Sequence, residues 1–254
     1  MKMNIFDLTN TFTIVTGGAR GIGRKGAEAF VAVGSNVIIA DIDMDAAQKT
    51  VKELETADSL TIAIRTDVTD PESVHEMVRQ TLDHFGKIDI LFNNVGICIN
   101  EPAETMSLAS WKRVIDINLT GIFIVAQEVG KVMIRQKYGS IINTASMSAH
   151  IVNMPQPQCA YNASKAGVIQ LTKSLAVEWA PYHVRVNSIS PGYIATEMTK
   201  KAPTEWKDEW VQKSLYHRMG NPEELQSALL YLASSASSFT TGSDLVIDGG
   251  FTCV

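Results

Sequence analysis

An α/β fold with a single doubly wound parallel β-sheet and helices on both faces is what this 254-residue sequence predicts. Three observations point to it. Short β-branched runs alternate with longer helical patterns along the chain. The strand-like runs are apolar at every position rather than at alternate ones. No linker, low-complexity tract or internal repeat marks a second domain, so residues 1–254 read as one unit. Continuously apolar strands belong to sheets buried on both faces, and repeated β-α-β alternation makes such sheets parallel.

Taken in order, "FTIVTGG" reads as a buried strand and "RGIGRKGAEAFVAVG" as a helix ending at Gly34. "NVIIAD" is the next strand, followed by helical "MDAAQKTVKELET" and strand "LTIAIRTD". "PESVHEMVRQTLDHFG" opens on Pro71 and closes at Gly86, a good start and stop pair for a helix. "IDILFNN" and "GSIINTAS" are further strands, with helices between them over residues 107–137. A long helix covers 160–180, then come strand "VRVNSIS", a polar helical segment near 196–216, helix "PEELQSALLYLAS" and strand "DLVID".

Composition narrows the function classes. Hydrophobic residues at 45% give ample core, and a formal charge of −5 with no basic run speaks against an electrostatic nucleic-acid surface. The opening "MKMNIFDLTN" lacks the long apolar region of a signal peptide, and no apolar run is expected to reach membrane-span length. Cys98, Cys159 and Cys253 are an odd number without metal-ligand spacing, which suits a reducing compartment. The expectation is a cytoplasmic protein with no membrane, nucleic-acid or metal partner.

The segment "TGGARGIG" lies between the first strand and the first helix. Glycines there permit a tight turn and close approach of backbone to phosphate, while the helix N-terminus offers free N–H groups to a pyrophosphate. This makes the sheet Rossmann-like and a dinucleotide the expected cofactor. Gly17, Gly21 and Gly23 follow a Gly-x-x-x-Gly-x-Gly spacing, with Ile22 inside the turn. Asp41 closes the second strand, where a carboxylate accepts from the adenosine ribose hydroxyls and repels a 2′-phosphate; the plainer alternatives are a strand-end aspartate or the cap of the next helix. Arg20 is a conflicting cue, since a guanidinium in the turn pairs with phosphate. Asp41 decides for NAD over NADP because it also repels. Asp67 and Val68 end the third strand, where the aspartate faces the adenine amino group, and Asn94 and Gly96 end the fourth beside the cofactor. Turn chemistry alone also explains these last four.

Tyr161 and Lys165 stand four residues apart at the start of a helix, so they share one face. A tyrosine ionises near pH 10, too high for a base at neutral pH, but a nearby ammonium favours the phenolate, as does the positive ring of an oxidised nicotinamide. Tyr161 then exchanges a proton with a substrate hydroxyl or carbonyl while hydride moves to or from the nicotinamide. Such a pair alone is common; the rest of the chain gives it weight.

In order and spacing, "TGGARGIG", "NNVG", Asn118 in "INLTG", a serine after the fifth strand, "YNASK" and "PGYIAT" resemble the short-chain dehydrogenase/reductase family over residues 12–250. The resemblance implies Tyr161 as acid/base, Lys165 lowering its pKa and touching the nicotinamide ribose, and Ser146 or Ser148 as donor to the substrate oxygen. It implies that Asn118 shapes a helix kink holding a relay water, that Pro191, Gly192 and Thr196 lie by the nicotinamide, and that Ile194 lies near its carboxamide. It also implies a homotetramer with "GGFTCV" near an interface. Similar polyol enzymes can place a divalent ion there, though no side-chain cluster in this sequence demonstrates one.

Ser148 matches the family's usual distance of about thirteen residues before the tyrosine. "NTAS" nevertheless fits the strand-end pattern better, so Ser146 is the expected catalytic serine, with a loop two residues longer than usual and Ser148 as a substrate contact. In that loop Ser148, His150, Asn153 and Gln156 are expected to bind hydroxyls, while Ile151, Val152 and Met154 pack beneath, although plain turn chemistry also explains such a composition. "SMSxxIVNxPQ" and the sequence after the tyrosine resemble bacterial polyol dehydrogenases of the galactitol and sorbitol type, implying a polyol or ketose substrate. The segment 195–216, with Trp206 and Trp210, is the expected substrate lid, compatible with an amphipathic helix docked on its own domain. The alternatives are a reductase of a 3-oxoacyl thioester or keto-gluconate, or a catalytically silent NAD(H)-binding regulator.

Overall fold

The computed structural model describes residues 5–56 and 59–254; the first four residues of the opening segment lie outside the described residues. Seven strands form one sheet in the order β3-β2-β1-β4-β5-β6-β7, with every pairing parallel. They are β1 (Phe12–Thr16), β2 (Asn36–Asp41), β3 (Thr61–Arg65), β4 (Ile90–Asn93), β5 (Gly139–Thr144), β6 (Val184–Pro191) and β7 (Asp244–Ile247). The strand order reverses between β1 and β4, where Thr16 lies opposite Asn93. Connections leave such a switch point in opposite directions, so a crevice opens at the strands' carboxyl ends. The glycine turn, "NNVG", Ser146 and "PGY" all follow carboxyl ends in this part of the sheet.

The helices are α1 (Gly21–Ala32), α2 (Met44–Leu54), α3 (Pro71–Phe85), α4 (Leu108–Ile115), α5 (Gly121–Gln136), α6 (Cys159–Trp179), α7 (Glu197–Lys200), α8 (Thr204–Lys213) and α9 (Gln226–Ala233). The punctuation of α3 is as the sequence dictates: Asp70 caps its start and Gly86 ends it at φ 76°, a left-handed turn that suits glycine. Successive residues of β1 point to opposite faces: Ile14 joins a core with Val74, Met77, Val125 and Leu175, Val15 one with Phe30, Ile39, Phe92 and Leu229. Each such side chain contributes about 1.5–3 kcal/mol on burial. Two filled cores, one on each face, explain why the strands carry no polar alternation.

Three features depart from the sequence reading. Residues 107–137 form one continuous helical stretch in which Asp116–Thr120 makes a π turn between α4 and α5. The segment 196–216 splits into α7 and α8, with Pro203 at the N-cap of α8. The expectation that no run reaches membrane-span length is corrected, because Leu108–Gln136, at 29 residues, is long and apolar enough by length and composition. Half of its most apolar window is buried inside the fold, as befits a helix covering the central strands.

Candidate active site

The glycine turn is built for close backbone approach. Gly17 takes φ +64°, and a Cβ on Gly23 would stand 2.2 Å from the Gly17 carbonyl oxygen, so a side chain there would break the turn. Asp41 fastens the end of β2 to this turn: its carboxylate accepts from the amides of Ala19 and Asp43, each at 3.1 Å. Asp43, not Asp41, caps α2 by accepting from Ala46 N, which removes the helix-cap alternative for Asp41. Arg20 is spent on the same Asp43 at 2.6 Å, which also holds that carboxyl below its usual range, second to the helix-cap bond. Gly21 adjoins Thr196, and Arg20 and Ile22 open onto the main cleft.

The neighbouring strand ends are tightly tied. Asp67 accepts from the amide and hydroxyl of Thr69, closing its own turn, while Val68 is buried against Gly121. Asn94 stitches three strands together, its amide bonding Thr16 Oγ1 at 2.9 Å and its side-chain oxygen accepting from Thr144 at 3.2 Å. Gly96 lies close against the site: a Cβ would sit 3.2 Å from Lys165 Nζ, so that ammonium would have to give by a few tenths of an ångström. Asn118 is fully buried in the π turn. Its side chain accepts from Ile97 N and donates to Ile97 O, both at 2.8 Å, and donates to Ser164 Oγ at 3.1 Å.

Tyr161 and Lys165 meet on one face of α6. Lys165 Nζ is 5.7 Å from the Tyr161 ring centroid and donates to the Thr144 carbonyl at 2.7 Å. One of its three protons is therefore used. Burial pushes Lys165 down to about 8 and Tyr161 up to about 12. The nearby Ser146 hydroxyl opposes that rise; Cys98 and Tyr193 add to it. The sequence reading has Lys165 lowering the phenol; in the structure burial of the phenolate is the largest influence and raises it. Ser146 caps the short turn Met147–Ala149 and accepts from Ser148 N at 3.1 Å. Ser148 is engaged by Gln158 at 3.2 Å. Ser146, rather than Ser148, is the serine whose hydroxyl bears on the phenol.

These groups open into a cleft of about 880 Å³ that also reaches Pro191, Gly192, Ile194 and Thr196. Trp206 and Trp210 of α8 close one side, consistent with a covering segment. The loop before α6 lines the wall, but its amides are bound within the protein. Asn153 and Gln156 both donate to the Tyr193 hydroxyl, at 3.0 and 2.8 Å, and Trp210 Nε1 donates to Gln156 Oε1 at 3.0 Å. His150, expected among the hydroxyl binders, turns instead to Asp244 on β7 at 2.7 Å, a carboxylate that also accepts from Ser188 and Ser190. A short helical turn after Ser146 rotates it away from the cleft.

Sequence reasoning missed Tyr193, Gln158 and Cys98 as cleft residues. The motif "PGYIAT" contained the first of these, and the buried amide run "NMPQPQ" the second, but neither pattern says which way a side chain points. Among the described residues no three His, Cys, Asp or Glu side chains are grouped to hold a metal ion.

The family described as enoyl-(acyl carrier protein) reductase matches residues 17–252. Sorbose reductase of Candida albicans is 42% identical over 99% of this chain and 90% of its own length. A probable NADP-dependent mannitol dehydrogenase of Yarrowia lipolytica is 40% identical over 99% of this chain and 91% of its own. Among solved structures, a short-chain type dehydrogenase/reductase from Mycobacterium marinum superposes with a TM-score of 0.96 at 44% identity, covering 99% of both chains.

Proposed function

Because the chain belongs to the short-chain dehydrogenase/reductase family of oxidoreductases, we propose that it interconverts a secondary alcohol of a sugar alcohol and the matching ketose, with NAD as preferred dinucleotide. One observation carries the reading. Tyr161, near Ser146 and set beside Lys165, opens onto a cleft whose loop wall, Ser146 to Gln158, is lined by Met147 and by hydroxyls and amides without a charged side chain. A neutral polar wall matches hydroxyl groups. A carboxylate, as in a keto-gluconate, finds no cation on that wall and would have to reach Lys201 or the Asp43-paired Arg20 elsewhere in the cleft, and the overall charge of −5 offers little to an acidic acyl carrier.

The residues present fit a dinucleotide: the glycine turn is too tight to take a side chain at Gly23, its Arg20 and Ile22 line the cleft, and Asp41 stands at the end of β2. Gly17, Gly21, Gly23 and Ile22 would hold its pyrophosphate, Asp41 the ribose, Asp67 and Val68 the adenine. Asn94, Gly96, Lys165, Pro191, Gly192, Ile194 and Thr196 would hold its nicotinamide half. Bound there, a nicotinamide dinucleotide supplies or takes up hydride. Tyr161 gives its phenolic proton to the substrate oxygen in ketone reduction and takes it back in alcohol oxidation. Ser146 keeps that oxygen in line, Lys165 stabilises the phenolate when it forms, and Asn118 holds the segment at Ile97 for the proton relay. Arg20, neutralised by Asp43, is a weak phosphate ligand, while Asp41 repels a 2′-phosphate. The Yarrowia relative's name includes NADP, so Asp41 is the residue on which the preference turns. A homotetramer belongs to the same reading, supported by exposed Leu108, Trp111 and Phe123 on α4 and α5 and Val177 on α6.

The test is a panel of sugar alcohols and ketoses assayed with NAD(H) and NADP(H), together with Tyr161→Phe. The expected loss in the variant is at least about 10³-fold in kcat with dinucleotide binding retained. A variant keeping most of the hydride-transfer rate would end the assigned mechanism, and preference for NADP(H) would end the reading of Asp41. NADH binding without turnover of any alcohol or ketone would instead favour a silent regulator.

A further inference from the structure

Tyr193, just beyond β6, is held more rigidly than a wall residue needs. Its ring stacks on Trp210 with centroids 4.1 Å apart and planes 8° from parallel, and meets Phe251 edge-on at 5.3 Å. Its hydroxyl oxygen receives two hydrogen bonds, from Asn153 Nδ2 at 3.0 Å and Gln156 Nε2 at 2.8 Å. The orientation of Gln156 follows from chemistry. An indole N–H only donates, so the oxygen of Gln156 must face Trp210, leaving its NH₂ for Tyr193. Asn153 turns its oxygen to Gln158 Nε2 at 3.2 Å and its NH₂ to Tyr193. A phenol has two acceptor positions and one proton. Both acceptor positions on Tyr193 are filled, and no acceptor for its proton is found among the described residues. Tyr193 lines the same cleft as Tyr161 and Ser146.

We propose that Tyr193 is a specificity-determining residue whose O–H donates to a second oxygen of the substrate, carried on a carbon other than the reacting one. This rests on the ketone/polyol reading of the site and deepens it. The two amides act as a clamp: by occupying the oxygen they leave the hydroxyl only a donor's role. Substrates with a further oxygen satisfy that donor. A ketone without one leaves it facing an apolar chain, and a donor left unpaired in a dehydrated site is a strong basis for rejection. A merely structural Tyr193, serving as a pillar between Trp210 and Phe251, would affect all ketones alike.

The test compares reduction of erythrulose and 2-butanone by the wild type and Tyr193→Phe, which keeps the ring and its stack. Fluorescence-detected NADH binding and thermal unfolding check the fold. The wild type is expected to favour erythrulose by at least about tenfold in kcat/KM. The variant should lose about tenfold on erythrulose and less than about threefold on 2-butanone, with NADH affinity unchanged. Equal losses on both ketones, or none on either, would overturn the proposal. So would a wild-type ratio near unity, an arm that stands even where the variant fails to fold. Absence of turnover on either ketone by the wild type, with NADH still bound, would bring down the enzymatic reading itself and the proposal with it.

Discussion

At Tyr161 two effects compete, and burial wins. The phenol is pushed up to about 12, against an ordinary value of 10.0, although the nearby Ser146 hydroxyl works to lower it. A raised pKa means the neutral form persists to higher pH. In the dinucleotide-free protein Tyr161 is therefore in the form that ketone reduction uses, while alcohol oxidation needs the disfavoured phenolate. Ultraviolet titration of wild type minus Tyr161→Phe should show no phenolate signal below about pH 10. A signal between pH 7 and about 9 would mean that Lys165, not burial, sets the ionisation. Oxidation should accelerate with rising pH while reduction does not gain from it. The proximity of Tyr161 and Lys165 was legible in the sequence because spacing fixes which side chains share a helix face. The direction of the pKa shift was not, since it depends on what the fold packs over the phenol.

At the level of elements, the π turn shows how a single side chain shapes a helix. Asn118 bonds both the amide and the carbonyl of Ile97 and also reaches Ser164, so it ties α4 and α5 to the loop after β4 and to α6. Replacing Asn118 with Ala strips two part-buried backbone groups of their partners. The expected cost is about 1–3 kcal/mol, read as a melting temperature lower by roughly 2–10 °C. Activity should fall more than the stability loss explains, because Ile97 lines the cleft. An unchanged melting temperature with full activity would show Asn118 to be a bystander. The loop 146–158 teaches a related lesson. Its polar composition announced hydroxyl chemistry, yet His150 went to Asp244, and Asn153 and Gln156 to Tyr193. Composition gives a loop's inventory of donors and acceptors, not its internal pairings.

For the whole molecule, the apolar side chains left outside on α4, α5 and α6 argue for assembly, and sedimentation equilibrium or light scattering should return four copies. A monomer at micromolar concentration would leave that surface unexplained. By itself the sequence determined the α/β class, the parallel sheet, the order of motifs along its carboxyl ends and the sharing of one helix face by Tyr161 and Lys165. Each follows from local rules: apolar runs, helix periodicity, and glycines where backbone must bend. Only the tertiary structure decided that Arg20 is paired with Asp43, that Ser146 rather than Ser148 bears on the phenol, and that Tyr193 is clamped by two amides beneath Trp210. Those pairings join segments from distant parts of the chain, and a hydrogen bond is chosen by which partners the fold brings within about 3 Å.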